Sequence, residues 1–209
     1  MTLAYNQIAG RSVERIAALS DGLFAIAMTL IVLEIRVPDP TTIITEAQLW
    51  SAISDLAPRL VTYLLSFLTL GIFWHGQQTQ LAYLDHSDRH YSWSQLAFLA
   101  VVAMMPFSTS LLAEFISFRL ALFLYWLNIL LFGATLTVAW WYARRAGLVR
   151  AGTPESVSKA IRRRTFVGQS LYAIGALLGL FSTYLSIAFI VAVQLVFATG
   201  IPLPVMRRI

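Results

Sequence analysis

Long uncharged apolar stretches alternate with short polar ones along this chain. The apolar runs cover residues 16–33, 60–84, 90–113, 120–143 and 165–206, and the last four contain no Asp, Glu, Lys or Arg. A helix needs about 20 apolar residues to cross a bilayer, so the 42-residue run 165–206 has room for two passes and the chain reads as six membrane spans. Pro38 and Pro40 end span one, because proline cannot continue a helix without losing a backbone hydrogen bond. Residues 45–56 have helical character, Pro58 suits the first turn of span two, and that span ends in the polar stretch 76–80. Span three begins near Trp93 and should bend at Pro106, with Ser108 and Thr109 close enough to satisfy the freed backbone groups. Span four ends at Trp140, Trp141 and Tyr142, an aromatic belt anchored by Arg144 and Arg145. Thr153 as cap and Pro154 in the first helical position predict a short helix that feeds span five. Spans five and six must join tightly, around residues 182–186. Gly175 and Gly179 form a pair of small residues that lets helices approach closely.

The composition agrees with a membrane protein and leaves no room for a soluble catalytic domain. Of 209 residues, 58% are hydrophobic and only 12% charged, whereas an ordinary soluble domain is about a quarter charged. The mean hydropathy is +0.73. Residues 1–209 therefore form one all-α polytopic membrane domain, and the first run reads as a retained span rather than a signal peptide, since Glu34, Arg36, Pro38 and Pro40 follow it where a cleavage site would lie. With no cysteine, disulfides, thiolate catalysis and cysteine-built metal sites are excluded.

Charge sets the expected orientation. Of the 15 basic residues, twelve fall on one side of the six spans (Arg11, Arg15, Arg89, Arg144, Arg145, Arg150, Lys159, Arg162, Arg163, Arg164, Arg207 and Arg208) and three on the other (Arg36, Arg59 and Arg119). The positive-inside rule then places both termini in the cytoplasm. The pI of 9.9 follows from this basic inner side, where Arg162, Arg163 and Arg164 can attract anionic lipid headgroups. Nucleic acid is not needed to explain it, because basic and aromatic residues do not interleave on a soluble surface.

Span one differs from the others, since only twelve uncharged residues separate Asp21 from Glu34. A carboxylate near a membrane interior is costly and needs a partner. Arg15 is the nearest cation, but six residues turn a helix by about 240°, so a pair between Arg15 and Asp21 would have to form through a neighbouring helix or subunit. Such a pair could simply lock helices together, or Asp21 could meet a permeating ion. Leu19, Leu23, Ile26, Leu30 and Leu33 recur at steps of 4, 3, 4 and 3, an apolar seam along one face. Beside it run the small residues Ala18, Gly22 and Ala25, and Thr29. The seam could face copies of itself around an axis, face lipid, or face the core.

The segment Arg15-Ile-Ala-Ala-Leu19-Ser20-Asp21 resembles the arginine, three residues, Phe-Ser-Asp signature of the lysosomal and endosomal potassium channel family (transmembrane protein 175 type) and its prokaryotic homologues. Trp74, the Asp88 region, Trp93, the stretch from Pro106 to Glu114, and Arg162 to Arg164 before the last two spans carry the resemblance along nearly the whole chain. It implies a homotetramer in a prokaryotic plasma membrane whose first span lines a central potassium pathway. The implied constriction falls on Ile26, Leu30 and Leu33, all on the seam, and the implied selectivity threonine on Thr29; Arg15, Leu19, Ser20, Asp21 and Trp74 carry the motif and its inter-helix network. No Thr-Val-Gly-Tyr-Gly stretch exists for a carbonyl-lined filter. The chain departs from the family where Leu19 replaces phenylalanine and where Gln77 and Gln78 replace common histidines.

Two other readings belong to different classes. A small secondary transporter or proton-coupled exchanger would titrate Asp21 and Glu34. A purely structural membrane protein would pass nothing. Asp85, His86, Asp88 and His90 could be drawn as a metal site, but Arg89 among them opposes a cation. The segment reads more simply as a solvated turn. No spacing suits an enzyme, a cofactor or a bound metal; potassium, lipid and further copies of the chain are the expected partners.

Overall fold

The computed structural model describes residues 10–199. Among these, eight helices follow in order: α1 (Val13–Val32), α2 (Glu46–Asp55), α3 (Ala57–Ala82), α4 (Arg89–Ala103), α5 (Met105–Glu114), α6 (Arg119–Arg145), α7 (Glu155–Leu178) and α8 (Thr183–Thr199). Four units are long and apolar enough to cross a membrane: α1, α3, α4 with α5, and α6, at 20, 26, 26 and 27 residues. The chain is a multi-pass all-helical membrane protein. The last two expected spans differ from these. α7 carries Glu155, Lys159 and Arg162 to Arg164 in its N-terminal part, and the expected short helix is continuous with it; α8 is apolar over 17 residues. Residues 200–206 of the expected sixth span, Arg207, Arg208 and both termini lie outside the described residues.

Local chemistry explains where the helices start and stop. The Ser12 hydroxyl accepts the Arg15 amide at 3.2 Å and Glu14 sits in the first turn of α1, both favourable at the positive end of a helix. Before α2, Asp39 accepts the Thr41 amide and hydroxyl at 2.9 and 2.8 Å, and these bonds hold its carboxyl below the usual carboxylate value. Thr45 and Gln48 then close a reciprocal capping box at the start of α2. Pro106 separates α4 from α5, since its ring removes a donor and clashes with the preceding turn. The Met104 amide draws in the carbonyls of the last turn of α4, and Ser108 and Thr109 both donate to the Met105 carbonyl, at 3.1 and 2.8 Å. α6 ends on Gly147, whose φ of +70° lets Leu148 N–H reach the Ala143 carbonyl at 2.9 Å. Pro154, not Thr153, caps α7; the Thr153 hydroxyl instead donates to the Arg150 carbonyl at 2.8 Å.

Tertiary bonds define two ends of the bundle. At one end Ser87 N–H meets the Arg11 carbonyl at 3.0 Å, while Asp85 N–H and Arg150 N–H bond the Leu148 and Tyr83 carbonyls at 2.9 Å each. There Asp88 also caps α4 through Tyr91 N–H and accepts the Tyr142 hydroxyl, both at 2.7 Å. At the other end Arg59 pairs with Glu114 and donates to the Glu34 carbonyl at 3.2 Å, and Ser110 donates to Glu34 Oε2 at 2.9 Å. The four long units thus alternate in direction. Between the ends, Phe24, Phe98, Phe132 and Phe73 form a chain of rings with centroids 5.9, 5.7 and 4.7 Å apart, joining α1, α4, α6 and α3. Lipid is as apolar as these rings, so close packing rather than water exclusion holds them. A Cβ on Gly175 would overlap Ile190 of α8, and one on Gly179 would overlap Leu122 of α6. The small pair therefore seats two different neighbours.

Candidate functional site

α1 divides into faces with different surroundings. Ser20, Phe24, Ala27 and Ile31 are buried against the rest of the chain. About 100° per residue places the Leu19, Leu23, Ile26, Leu30, Leu33 seam roughly a quarter turn from that buried face, and the stripe Ala18, Gly22, Ala25 and Thr29 nearly opposite it. Ile26, Leu30 and Leu33 are 57, 44 and 69% exposed and Leu19 is 49% exposed, Leu23 is half-buried, and the whole small stripe is exposed. The single chain therefore leaves nearly half of α1 without a protein neighbour, and that half carries every residue expected at the constriction. The Thr29 hydroxyl donates to the Ile26 carbonyl at 2.8 Å, which fixes its rotamer and leaves its oxygen lone pairs on the exposed side.

The motif at the start of α1 is held by α3. Asp21 Oδ1 accepts from Trp74 Nε1 and from Gln78 Nε2, each at 2.7 Å. Trp74 and Gln78 stand four residues apart and so share one face of α3. Next to them Gln77 Nε2 reaches both Ser20 Oγ and Gln95 Oε1 at 2.8 Å, and Gln95 Nε2 continues to the Tyr91 hydroxyl at 2.7 Å. Two consecutive glutamines thus hold two consecutive motif residues, and α4 is tied into the same network. A hydrogen bond to a charged group contributes about 1.5–3 kcal/mol, so two neutral donors converging on one carboxylate oxygen form a firm anchor. Arg15 lies on the exposed side, and among the described residues no acid is within ion-pair distance of it.

The sequence placed Asp21 and Trp74 in one inter-helix network; it did not suggest which atoms bond or the clamp by Gln77 and Gln78. The available signal was two adjacent amides inside an uncharged span, since polar groups at that depth need partners. A second buried network also went unread. Thr109 donates to Ser66 at 2.7 Å, Tyr125 lies 3.2 Å from both Ser66 and Thr69, and Gln194 donates to Thr69 at 2.6 Å. It joins α3, α5, α6 and α8 and includes no residue of α1. His86 lies against Asp85 at 3.1 Å while Asp88 is engaged as a cap, and no group of three metal-ligating side chains occurs among the described residues.

Comparison with known proteins bears on this arrangement directly. A potassium channel of Streptomyces collinus is 31% identical over 179 residues, spanning 83% of this chain and 85% of that one. The family profile described as endosomal/lysosomal potassium channel TMEM175 matches residues 15–106, the stretch that holds the motif, the seam and the α3 clamp. The chain belongs to the TMEM175 family. A potassium channel of Chamaesiphon minutus is 30% identical over 188 residues, 88% of this chain and 92% of that relative. The crystal structure of a lysosomal potassium-selective TMEM175 homologue from Chamaesiphon minutus superposes with a TM-score of 0.76 at 27% identity, covering 90% of this chain and 97% of that one. Human TMEM175, an endosomal/lysosomal proton channel by name, is 33% identical over 100 residues, 46% of this chain and 20% of the human protein. TMEM175 proteins are ion channels, not enzymes.

Proposed function

We propose that four copies of this chain surround an axis lined by the α1 seam, and that potassium passes down its gradient through stacked rings of Ile26, Leu30 and Leu33. The protein is a potassium channel. The exposed seam is the observation that carries the pore reading, because one subunit leaves those side chains uncovered and encloses no axis of its own. Each ring contributes four apolar side chains, and a narrow apolar ring limits conduction by excluding water. The small stripe beside the seam permits close approach of the adjacent helix. Thr29, one step off the seam, offers oxygen lone pairs next to the rings and biases the pathway towards potassium. Arg15 reaches Asp21 of a neighbouring copy, adding a cation to the two neutral donors already on that carboxylate. Six passes, with α7 and α8 as the last two, put both termini in the cytoplasm of a prokaryotic plasma membrane, and Arg162, Arg163 and Arg164 meet anionic headgroups there.

The human relative is named a proton channel, and the second reading is a proton-coupled exchanger that works through Asp21 and Glu34. Potassium flux into liposomes containing the purified protein separates them. Flux that follows the potassium gradient with no obligatory proton counterflow is expected. Flux that saturates and stops when proton movement is blocked would contradict the channel.

A further inference from the structure

A basic cleft of about 320 Å³ lies where α3, α6 and α7 meet, lined by Arg144, Arg145, Arg162, Trp140, Gln80 and Thr165 among others. Arg144 is matched by Glu155 at 2.8 Å. Arg145 lies over the Trp141 ring at 4.3 Å, and neither it nor Arg162 has an acid within ion-pair distance among the described residues. Gln80, Ile161 and Thr165 also line a smaller cavity of about 80 Å³ behind the cleft, which reaches between α3, α6, α7 and α8. Three buried polar atoms around the two spaces lack hydrogen-bond partners: Trp140 Nε1 beside the cleft, Gln80 Oε1 on the shared wall, and Gln169 Oε1 beside the inner cavity. Gln80 and Trp140 are only 2 and 5% exposed. Native proteins pair nearly all such groups.

Both spaces hold a guanidinium group, Arg164 in the inner one, and they differ in their neutral groups. The cleft offers guanidinium groups and an indole N–H, which suit an anion. The shared wall and inner cavity offer amide oxygens, which suit hydroxyl donors. We propose that the cleft binds a glycerophosphate group, with its phosphate against Arg145, Arg162 and the Trp140 N–H and its hydroxyls directed to Gln80 and Gln169. The proposal rests on the reading that anionic headgroups meet the α7 arginines, and it names the headgroup and its seat. Trp141, Val138 and Phe166 are exposed apolar side chains on the adjoining faces of α6 and α7, so a lipid bearing that group finds a surface for its chains. Gln80 stands two residues beyond Gln78, so occupancy braces the part of α3 that holds Asp21.

Lipid retention by the purified protein, read by native mass spectrometry, tests this without any ion flux, so its failure is distinct from failure of the channel reading. Phosphatidylglycerol should be retained in preference to phosphatidylcholine and to phosphatidic acid, which lacks the headgroup hydroxyls. Arg145→Gln with Arg162→Gln should weaken phosphatidylglycerol retention by about tenfold or more, the worth of one charge-assisted bond. Gln80→Leu should abolish the preference over phosphatidic acid and keep that over phosphatidylcholine, and Lys159→Gln, outside the cleft, should change neither. If the double variant does not fold, the single Arg162→Gln and the wild-type lipid ratios decide the matter. Free glycerol 1-phosphate that displaces the lipid would make the soluble phosphate the occupant, and failure to displace it would make the occupant the lipid. Equal retention of phosphatidylglycerol and phosphatidylcholine, or unchanged retention in the arginine variants, would overturn the proposal.

Discussion

The two halves of α1 are built differently. Its first half, through Asp21, is fastened within one chain by bonds to Trp74, Gln77 and Gln78 of α3. Its second half presents Ile26, Leu30 and Leu33 outward, with only Phe24, Ala27 and Ile31 buried, about a quarter turn away. The first half has hydrogen-bond partners for its motif carboxylate within one chain, whereas the second leaves its large apolar side chains without neighbours there. Directional bonds to α3 fix the rotation of the helix about its own axis, and that rotation decides which apolar residues are left facing outward. A seam without the anchor would have no defined heading, because apolar side chains in lipid have little reason to prefer one face.

The largest effect is expected from the core beneath both halves. Phe98 touches Phe24 of α1 and Phe132 of α6, and Phe98→Ala should cost about 3–5 kcal/mol through the cavity it leaves. Thermal unfolding in detergent should show a large drop, with unchanged ion preference in whatever protein survives. Asp21→Ala comes next. It strands the Trp74 and Gln78 donors and should cost about 1.5–3 kcal/mol in all, because Asp21 and Trp74 are exposed and the freed donors are not sealed in the core. Tetramer yield on size exclusion should fall, and Asp21→Asn, which keeps an acceptor oxygen, should restore part of it. Normal assembly with altered selectivity would move Asp21 from the anchor to the pathway.

Arg15→Gln should act more weakly, because the single chain gives Arg15 no acidic partner to lose. Subunit unfolding should stay the same while the tetramer dissociates at lower detergent concentration; a change in subunit stability would show that Arg15 works within its own chain. Thr29→Ala should have the smallest effect, a modest loss of potassium preference with conductance nearly unchanged, read from reversal potentials. Its hydroxyl bonds only to its own helix, so removing it disturbs no packing.

Much of this was legible in the sequence, for physical reasons that also explain the gaps. Uncharged runs mark spans because a bilayer tolerates few charges, and the 4, 3 spacing of Leu19 to Leu33 marks a face because a helix repeats that way. The face that packs inward was not legible. It combines Ser20, Phe24, Ala27 and Ile31, a polar, a large, a small and a branched residue, and no transfer preference distinguishes that set from its neighbours in lipid. The Gln77 and Gln78 clamp depends on how α1 and α3 are rotated against each other, which no single-helix pattern contains. The charged beginning of α7 concealed the fact that the short helix expected after Pro154 and the fifth span are continuous.

Reversal potential and conductance of Ile26→Asn and Leu30→Asn, measured under mixed potassium and sodium gradients beside Leu64→Asn, bear most directly on the seam as the pore lining. Leu64 is exposed on α3 and lies outside the seam. Four amides placed in one apolar ring should admit water with the ion, so conductance should rise and discrimination against sodium should fall in both α1 variants, while Leu64→Asn keeps the wild-type reversal potential. If Ile26→Asn and Leu30→Asn assemble normally and leave conductance and reversal potential unchanged, α1 does not line the pathway.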